Sequence, residues 1–326
     1  MMSRRLKLVS GSANEELAKG ISMHLNAPMV PVTIKRFKDG EIYCKILESV
    51  RGCEVFLIQP TAPPTNDSLM ELLIMTDAIR RASPREITAV IPYYGYARQD
   101  RKADAREPIT AKLVANLITV AGIDRVVIFD LHVPQIQGFF DIQVDNLEAI
   151  PILAEYFLDK KLKNAVIVAP DVGGVGRARS VAKLLNASLA LIDKRRPTHG
   201  TSQVMHVIGD VTGKTAILVD DMIDTAGTIT KAAEAVMKEG AKEVFIAATH
   251  AVFSGNAVEK LQSKYIKEVV VTDTIAIPKA KRFKSLTVLS VAQVLSESIK
   301  RIYEGEPMGL LFDGMYSKLK AMQGSK

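Results

Sequence analysis

Short apolar runs rich in valine, isoleucine and leucine alternate with longer helix-like segments from one end of the chain to the other. Residues 6–10, 54–59, 86–91, 125–131, 165–169, 189–193, 215–219, 243–248 and 268–272 read as strands. Several are apolar throughout rather than at every second position, as strands buried on both faces of a parallel sheet are. Residues 14–25, 68–82, 109–121 and 229–238 read as helices between them. Such alternation predicts an α/β protein with mostly parallel sheets flanked by helices. Polar loops follow a strand in each half, Pro92-Tyr-Tyr-Gly-Tyr96 in one and Pro170-Asp-Val-Gly-Gly174 in the other. The repetition suggests two tandem domains of similar kind. We divide them as 1–147 and 148–304, followed by a terminal segment, 305–326.

The most informative stretch runs from residue 215 to 228. Thr215-Ala-Ile-Leu-Val219 is a buried-strand run, and Asp220 and Asp221 follow at its carboxyl end. Asp224, Thr225, Ala226, Gly227 and Thr228 then lead into a helix, supplying hydroxyls and a small backbone that a ligand can approach closely. Free N–H groups at a helix start suit a phosphate, with the macrodipole adding roughly 0.3–1 kcal/mol and each charge-assisted hydrogen bond about 1.5–3 kcal/mol. The two carboxylates repel phosphate, but they accept hydrogen bonds from vicinal sugar hydroxyls and can share a magnesium ion. Anion at one end and sugar at the other point to a ribose phosphate.

Composition narrows the class. With 326 residues, 48% hydrophobic and 24% charged, the chain has material for two cores and ordinary packing. The first residues lack an apolar h-region and no run approaches membrane-spanning length, so a cytoplasmic location without membrane contact is expected. Cys44 and Cys53 have no metal-ligand spacing and read as free thiols. The net charge of +7 is dispersed among acids and there is no tryptophan. Polyphosphate substrates therefore explain the basic excess better than nucleic acid does.

Four further segments carry polar residues that a scaffold does not need. Arg98, Gln99, Arg101 and Lys102 follow a turn-forming Tyr94-Gly-Tyr96, and such cations suit triphosphate oxygens. Asp130 and His132 close the 125–131 strand, with Asp141 and Asp145 downstream. Acids and an imidazole there can hold a hard cation. Asp193-Lys194-Arg195-Arg196-Pro197 ends a strand in three cations, able to neutralise charge on a transferring phosphoryl group. Asp171 stands before Gly173, Gly174 and Gly176, whose spacing does not fit a dinucleotide fingerprint.

The 215–228 segment resembles the ribose 5-phosphate motif of the type I phosphoribosyltransferase superfamily. Together with Phe37-Lys-Asp39-Gly40-Glu41, 92–102, 106–112, 130–140 and 193–197, it resembles the class I ribose-phosphate diphosphokinase family from about residue 6 to 312. That resemblance implies two phosphoribosyltransferase-like domains, with ATP and oligomer contacts in the first and ribose 5-phosphate in the second. It also implies transfer of the diphosphoryl group of ATP to the C1 hydroxyl of ribose 5-phosphate, giving phosphoribosyl pyrophosphate (PRPP) and AMP.

By matching motif, Asp220, Asp221 and residues 224–228 would bind ribose 5-phosphate. Lys194 and Arg196 would be catalytic, with Arg196 also touching the sugar phosphate. Arg98, Gln99, Arg101 and Lys102 would bind ATP, and Phe37, Asp39, Gly40 and Glu41 would reach the ATP of a neighbouring subunit in a homohexamer. His132 and Asp171 would serve magnesium, with Asp130, Asp141 and Asp145 at a second cation. Phosphate and ADP act on the family as effectors, but the segment before Phe312 reads Glu306-Pro-Met-Gly-Leu-Leu and lacks the family's usual hydroxyls. Weakened effector responses are therefore expected. A PRPP-consuming transferase would leave Lys194, Arg196 and the ATP segment idle. A non-catalytic relative would not be expected to retain Lys194, Arg196, His132 and Asp171.

Overall fold

The computed structural model describes residues 5–195 and 204–324. The chain divides into two compact units. One runs from the amino terminus to Glu148 and adds Thr274–Ala276 and Ser290–Leu311; the other comprises Ala149–Asp273, Ile277–Leu289 and the residues from Phe312 onward.

In chain order the first unit contains β1 (Leu6–Ser10), α1 (Glu15–Leu25), β2 (Val32–Arg36), β3 (Ile42–Ile46), β4 (Glu54–Ile58), α2 (Thr65–Arg81), β5 (Glu86–Ile91), α3 (Thr110–Ala121), β6 (Arg125–Phe129) and β7 (Gln143–Leu147). Its main sheet has the order β1-β4-β5-β6-β7 and every pairing in it is parallel. Strands β4 and β5 are buried almost throughout, as continuous apolar runs require. One core packs Val55, Leu57, Leu72, Met75, Ile79, Ile91, Val114, Ile118 and Ile128 together, joining α2 and α3 to the sheet. β2 and β3 form a separate antiparallel hairpin, whose Val32, Ile34, Cys44 and Ile46 lie against that core.

The second unit continues with α4 (Ile150–Asp159), β8 (Ala165–Ala169), α5 (Val175–Leu185), β9 (Ser188–Arg195), β10 (Val204–Ile208), β11 (Thr215–Ile223), α6 (Gly227–Lys238), β12 (Glu243–Ala251), α7 (Ala257–Leu261), β13 (Glu268–Thr272) and β14 (Leu286–Leu289). The sheet order is β10-β9-β8-β11-β12-β13-β14. All pairings are parallel except the antiparallel return of β10 on β9. From β8 the chain winds outward to β9, whereas from β11 it winds the other way to β12, β13 and β14. The order therefore reverses between β8 and β11. A crevice opens beyond the carboxyl ends at such a point, where open α/β sheets bind their ligands.

The last two helices are α8 (Ala292–Glu304) and α9 (Gly309–Gly324). α8 packs in the first unit against α1, where Gly20 lets the helices approach: a Cβ there would sit 3.0 Å from that of Ala292. The sequence offered no account of the tail. In the structure it is a helix whose Leu319, 1% exposed, packs with Ala154 and Leu158 of α4 and Leu184 and Leu185 of α5. Lys318 adds an ion pair of 2.5 Å to Glu155.

One boundary differs in a way that matters. The strand expected to end at Val219 runs on to Ile223, because β12 continues to pair with it through Asp220–Ala248 and Ile223–Ala251. The two acids are thus held in a sheet rather than on a loop.

Candidate functional site

Pairing of β11 with β8 stops at Leu218–Val168, so Asp220 and Asp221 emerge at the switch point while β12 still fixes their backbone. Asp221 is almost wholly buried, with 6% of its side chain exposed, and Asp220 keeps 23%. One cation faces both. Arg177, on the first turn of α5, places Nη1 3.5 Å from Asp221 and 3.8 Å from Asp220. Burial and then the charge of Asp221 push the Asp220 carboxyl up to about 8, with Arg177 opposing the shift. Carboxylates in such a place can accept hydrogen bonds from hydroxyl donors or bind a hard cation. Arg177 was not singled out from the sequence, because it comes from a different element and only the fold brings it there.

After β11, Asp224 and Thr225 lead to Ala226, which is buried and left-handed at φ 58°, and Gly227 opens α6. Thr225 and Thr228 are exposed. α6 has no side-chain cap, so its first N–H groups are available to an anion. The carbonyls of this loop are held from behind: Phe253 N–H donates to Ile223, Ser254 N–H to Asp224 and Lys260 Nζ to Thr225, at 3.0, 3.0 and 3.1 Å. Asp171, in the turn after β8, accepts from Gly174 N–H at 3.1 Å. Lys194 lies in β9 with its backbone opposite Met205 of β10. Arg196 falls outside the described residues.

In the first unit the 92–99 segment is held on two sides. Thr61 Oγ1 accepts from Gly95 N–H at 2.6 Å, and a Cβ on Gly95 would come within 2.5 Å of the Thr61 carbonyl. Tyr94 is buried, donates to the Ala111 carbonyl at 2.8 Å, and meets Phe140 in a tilted ring contact with centroids 5.6 Å apart. Tyr96 is left-handed at φ 66° and its hydroxyl donates to Asn66 at the start of α2. Gln99 docks on the start of α3: its carbonyl accepts from Ala111 N–H at 3.1 Å and its Oε1 from Thr110 Oγ1 at 2.5 Å. Arg98 and Gln99 thereby line a polar cavity of about 500 Å³ with Tyr93, Tyr96 and residues 64–67. Arg101 and Lys102 continue outward and are exposed.

Phe37, Asp39, Gly40 and Glu41 form the tip of the β2–β3 hairpin. Phe37 is 57% exposed, Gly40 is left-handed at φ 97°, and Asp39 accepts from Glu41 N–H at 3.1 Å. Arg36, the last residue of β2 before that tip, pairs with Asp67 at 3.2 Å.

Asp130, buried and left-handed at φ 41°, closes β6 just ahead of His132. The two downstream acids are engaged elsewhere: Asp141 is 3.5 Å from Lys112, and Asp145 is 2.8 Å from Arg125 at the opposite end of β6. Among the described residues no three His, Cys, Asp or Glu side chains come together as a cation cage. Magnesium takes one or two carboxylates as protein ligands. The buried acid pair at 220 and 221 is a hard-oxygen donor set of that kind.

Two family models match the chain: the N-terminal domain of ribose phosphate pyrophosphokinase over residues 6–122 and the phosphoribosyl synthetase-associated domain over residues 194–313. A ribose-phosphate pyrophosphokinase from Nostoc sp. is 57% identical over 311 residues, 95% of this chain and 94% of that protein. One from Bacillus cereus is 54% identical over 96% of this chain and 98% of its own length. A crystal structure of phosphoribosylpyrophosphate synthetase from Mycobacterium smegmatis superposes with a TM-score of 0.88 at 45% identity, over 93% of this chain and 100% of that one.

Proposed function

This chain belongs to the ribose-phosphate pyrophosphokinase family, and from that premise we infer that it transfers the diphosphoryl group of ATP to the C1 hydroxyl of ribose 5-phosphate, giving PRPP and AMP. The observation that carries this reading is the acid pair at the β8/β11 switch point, followed at once by a loop that opens α6.

The second unit supplies the acceptor side. Residues 224–228 hold the 5-phosphate on the free amides and hydroxyls at the start of α6. Asp220 and Asp221 accept hydrogen bonds from the ribose hydroxyls and, with Asp171, serve magnesium. The first unit supplies the donor side: Arg98, Gln99, Arg101 and Lys102 engage ATP, and Asp130 and His132 serve a cation there. Bound magnesium neutralises triphosphate charge and polarises the phosphoryl oxygens. Asp141 and Asp145 are proposed contributors to that second cation site, each beside a basic neighbour, Lys112 and Arg125.

The C1 hydroxyl attacks the β-phosphorus, the bond from that phosphorus to the α-phosphate bridging oxygen breaks, and AMP leaves. The protein performs little covalent work. Lys194 and Arg196 stabilise charge moving onto the departing oxygen, and alignment of donor and acceptor supplies the rest. The exposed Phe37 suits a hairpin that completes the nucleotide site of another copy, in the homohexamer that the family resemblance implies. Phosphate and ADP are proposed effectors, with weakened responses because residues 306–312 lack hydroxyls. A cytoplasmic location belongs to the same proposal, and no described helix is long and apolar enough to cross a membrane.

Calorimetric titration with ribose 5-phosphate and with ribose tests the acceptor site. Ribose 5-phosphate is expected to bind at least 100-fold more tightly, a phosphate contribution of about 2.7 kcal/mol. Equal affinities would remove residues 224–228 from phosphate binding.

A further inference from the structure

We propose that Lys260 is a positioning residue for the phosphate loop, acting from behind it on the peptide that joins Thr225 to Ala226. The proposal rests on the reading of residues 224–228 as the 5-phosphate site, and adds a residue some thirty positions away that no phosphate-loop motif contains.

Three successive carbonyls of the loop, those of Ile223, Asp224 and Thr225, are all taken by donors from the 253–260 segment. The first two donors are backbone N–H groups of Phe253 and Ser254. The third is the ammonium of Lys260, 3.1 Å from the Thr225 oxygen. A trans peptide is planar, with its N–H opposite its C=O. Holding the three oxygens on one side therefore turns the N–H groups of Asp224, Thr225 and Ala226 toward the other. Successive N–H groups facing one way form an anion-binding nest, here continuous with the free amides that open α6.

The final peptide of this nest has the greatest need of an anchor. Ala226 follows it in the left-handed region at φ 58°, which a residue with a Cβ adopts at a cost. Ile223 and Asp224 have main-chain partners that no side-chain substitution removes, whereas the Thr225 oxygen is held by a side chain. The ammonium also lies 3.9 Å from the position a Cβ on Gly227 would take, so its charge sits beside the loop. The anchoring segment is itself braced: Phe253 is 1% exposed, and its carbonyl accepts from Lys281 Nζ at 2.8 Å.

The geometry accounts for a lysine where an exposed surface would accept any polar residue. Lys260 fixes the direction of the Ala226 N–H by holding the opposite oxygen, and it need not touch the phosphate to do so.

Steady-state kinetics of the full-length enzyme test this with Lys260→Met, which keeps the stem and removes the charge, Lys260→Arg, and Thr228→Val as a control within the loop. Lys260→Met is expected to raise KM for ribose 5-phosphate five- to tenfold, with kcat and KM for ATP within twofold and an unchanged melting temperature. Lys260→Arg should return KM to within twofold of the parent. If Thr228→Val raises KM for ribose 5-phosphate while Lys260→Met leaves it unchanged, the positioning role is wrong and the phosphate loop stands. A Thr228→Val enzyme with unaltered KM removes the phosphate-loop reading and the proposal with it. Equal rises in both KM values with a lowered melting temperature for Lys260→Met would show a merely structural lysine and overturn the proposal.

Discussion

Replacing Arg177 with methionine keeps most of the side-chain volume and removes the cation shared by Asp220 and Asp221. Its Nη1 stands 3.5 and 3.8 Å from the two carboxylates, and only 17% of the side chain is exposed. At an effective dielectric of about 20, one unit pair near 4 Å is worth about 4 kcal/mol. Burial and the neighbouring Asp221 charge hold the Asp220 carboxyl well above its ordinary range, so one such interaction is counted as lost. The desolvation cost of the guanidinium disappears with it and offsets roughly half. A net loss of about 2 kcal/mol corresponds to a fall in melting temperature of about 4–8 °C. Scanning calorimetry of the ligand-free protein between pH 5.5 and 8.5 measures it. The deficit should grow with pH, because at lower pH the variant relieves the uncompensated charge by keeping a proton. A deficit below about 1 °C, or one that is flat with pH, would refute the idea that Arg177 neutralises this pair.

The other predictions concern the same sites and their supports. Asp220 ionises near 3.8 unfolded but near 8 folded, so between those values the folded state binds more protons and stability falls as pH rises. Asp220→Asn should flatten that slope in urea titrations, and an unchanged slope would deny the shift. Lys194→Ala should lower kcat at least 100-fold, about 2.7 kcal/mol, while calorimetric binding of ribose 5-phosphate stays within twofold; near-normal turnover removes the lysine from the mechanism. EDTA should abolish turnover yet move the melting temperature by less than about 2 °C, since no preformed cage among the described residues ties magnesium to folding. A large loss of stability on chelation would reveal a structural metal. Gly11→Ala would place a Cβ 2.2 Å from Gln59 Oε1 and 2.9 Å from Glu71 Oε1. Because Gln59 and Ser12 donate to the buried Glu71 carboxylate, chemical denaturation should show a loss of about 2–4 kcal/mol; a loss under 0.5 kcal/mol would contradict that packing.

The central strands were legible because burial on both faces demands continuous apolar runs, and β4, β5, β6, β8, β11, β12 and β13 all begin where those runs begin. The ends were less so. β11 outlasts its apolar run because β12 supplies partners to Ile223, and nothing within 215–223 announces a partner from 243–251. The β2–β3 hairpin escaped notice since its strands are only half-buried and their packing against α2 is tertiary. The tail helix α9 likewise depends on leucines of α4 and α5. At the site, local order made the acid pair and the loop into α6 visible, strand first, then carboxylates, then helix start. Arg177 and Lys260 were invisible as participants because their relevance lies in distance across the fold, from α5 to β11 and from α7 to Thr225. Asp141 and Asp145 enter as cation-site residues through the family resemblance alone, and the fold sets a basic neighbour beside each.

The central claim is diphosphoryl transfer from ATP to ribose 5-phosphate. Incubating the purified chain with both substrates and magnesium, and quantifying AMP and PRPP together by chromatography, tests it directly. The account predicts the two products in equal amounts, with neither formed when ribose 5-phosphate is omitted. ADP or orthophosphate in place of AMP, or no product from a folded assembly that binds ATP, would contradict it.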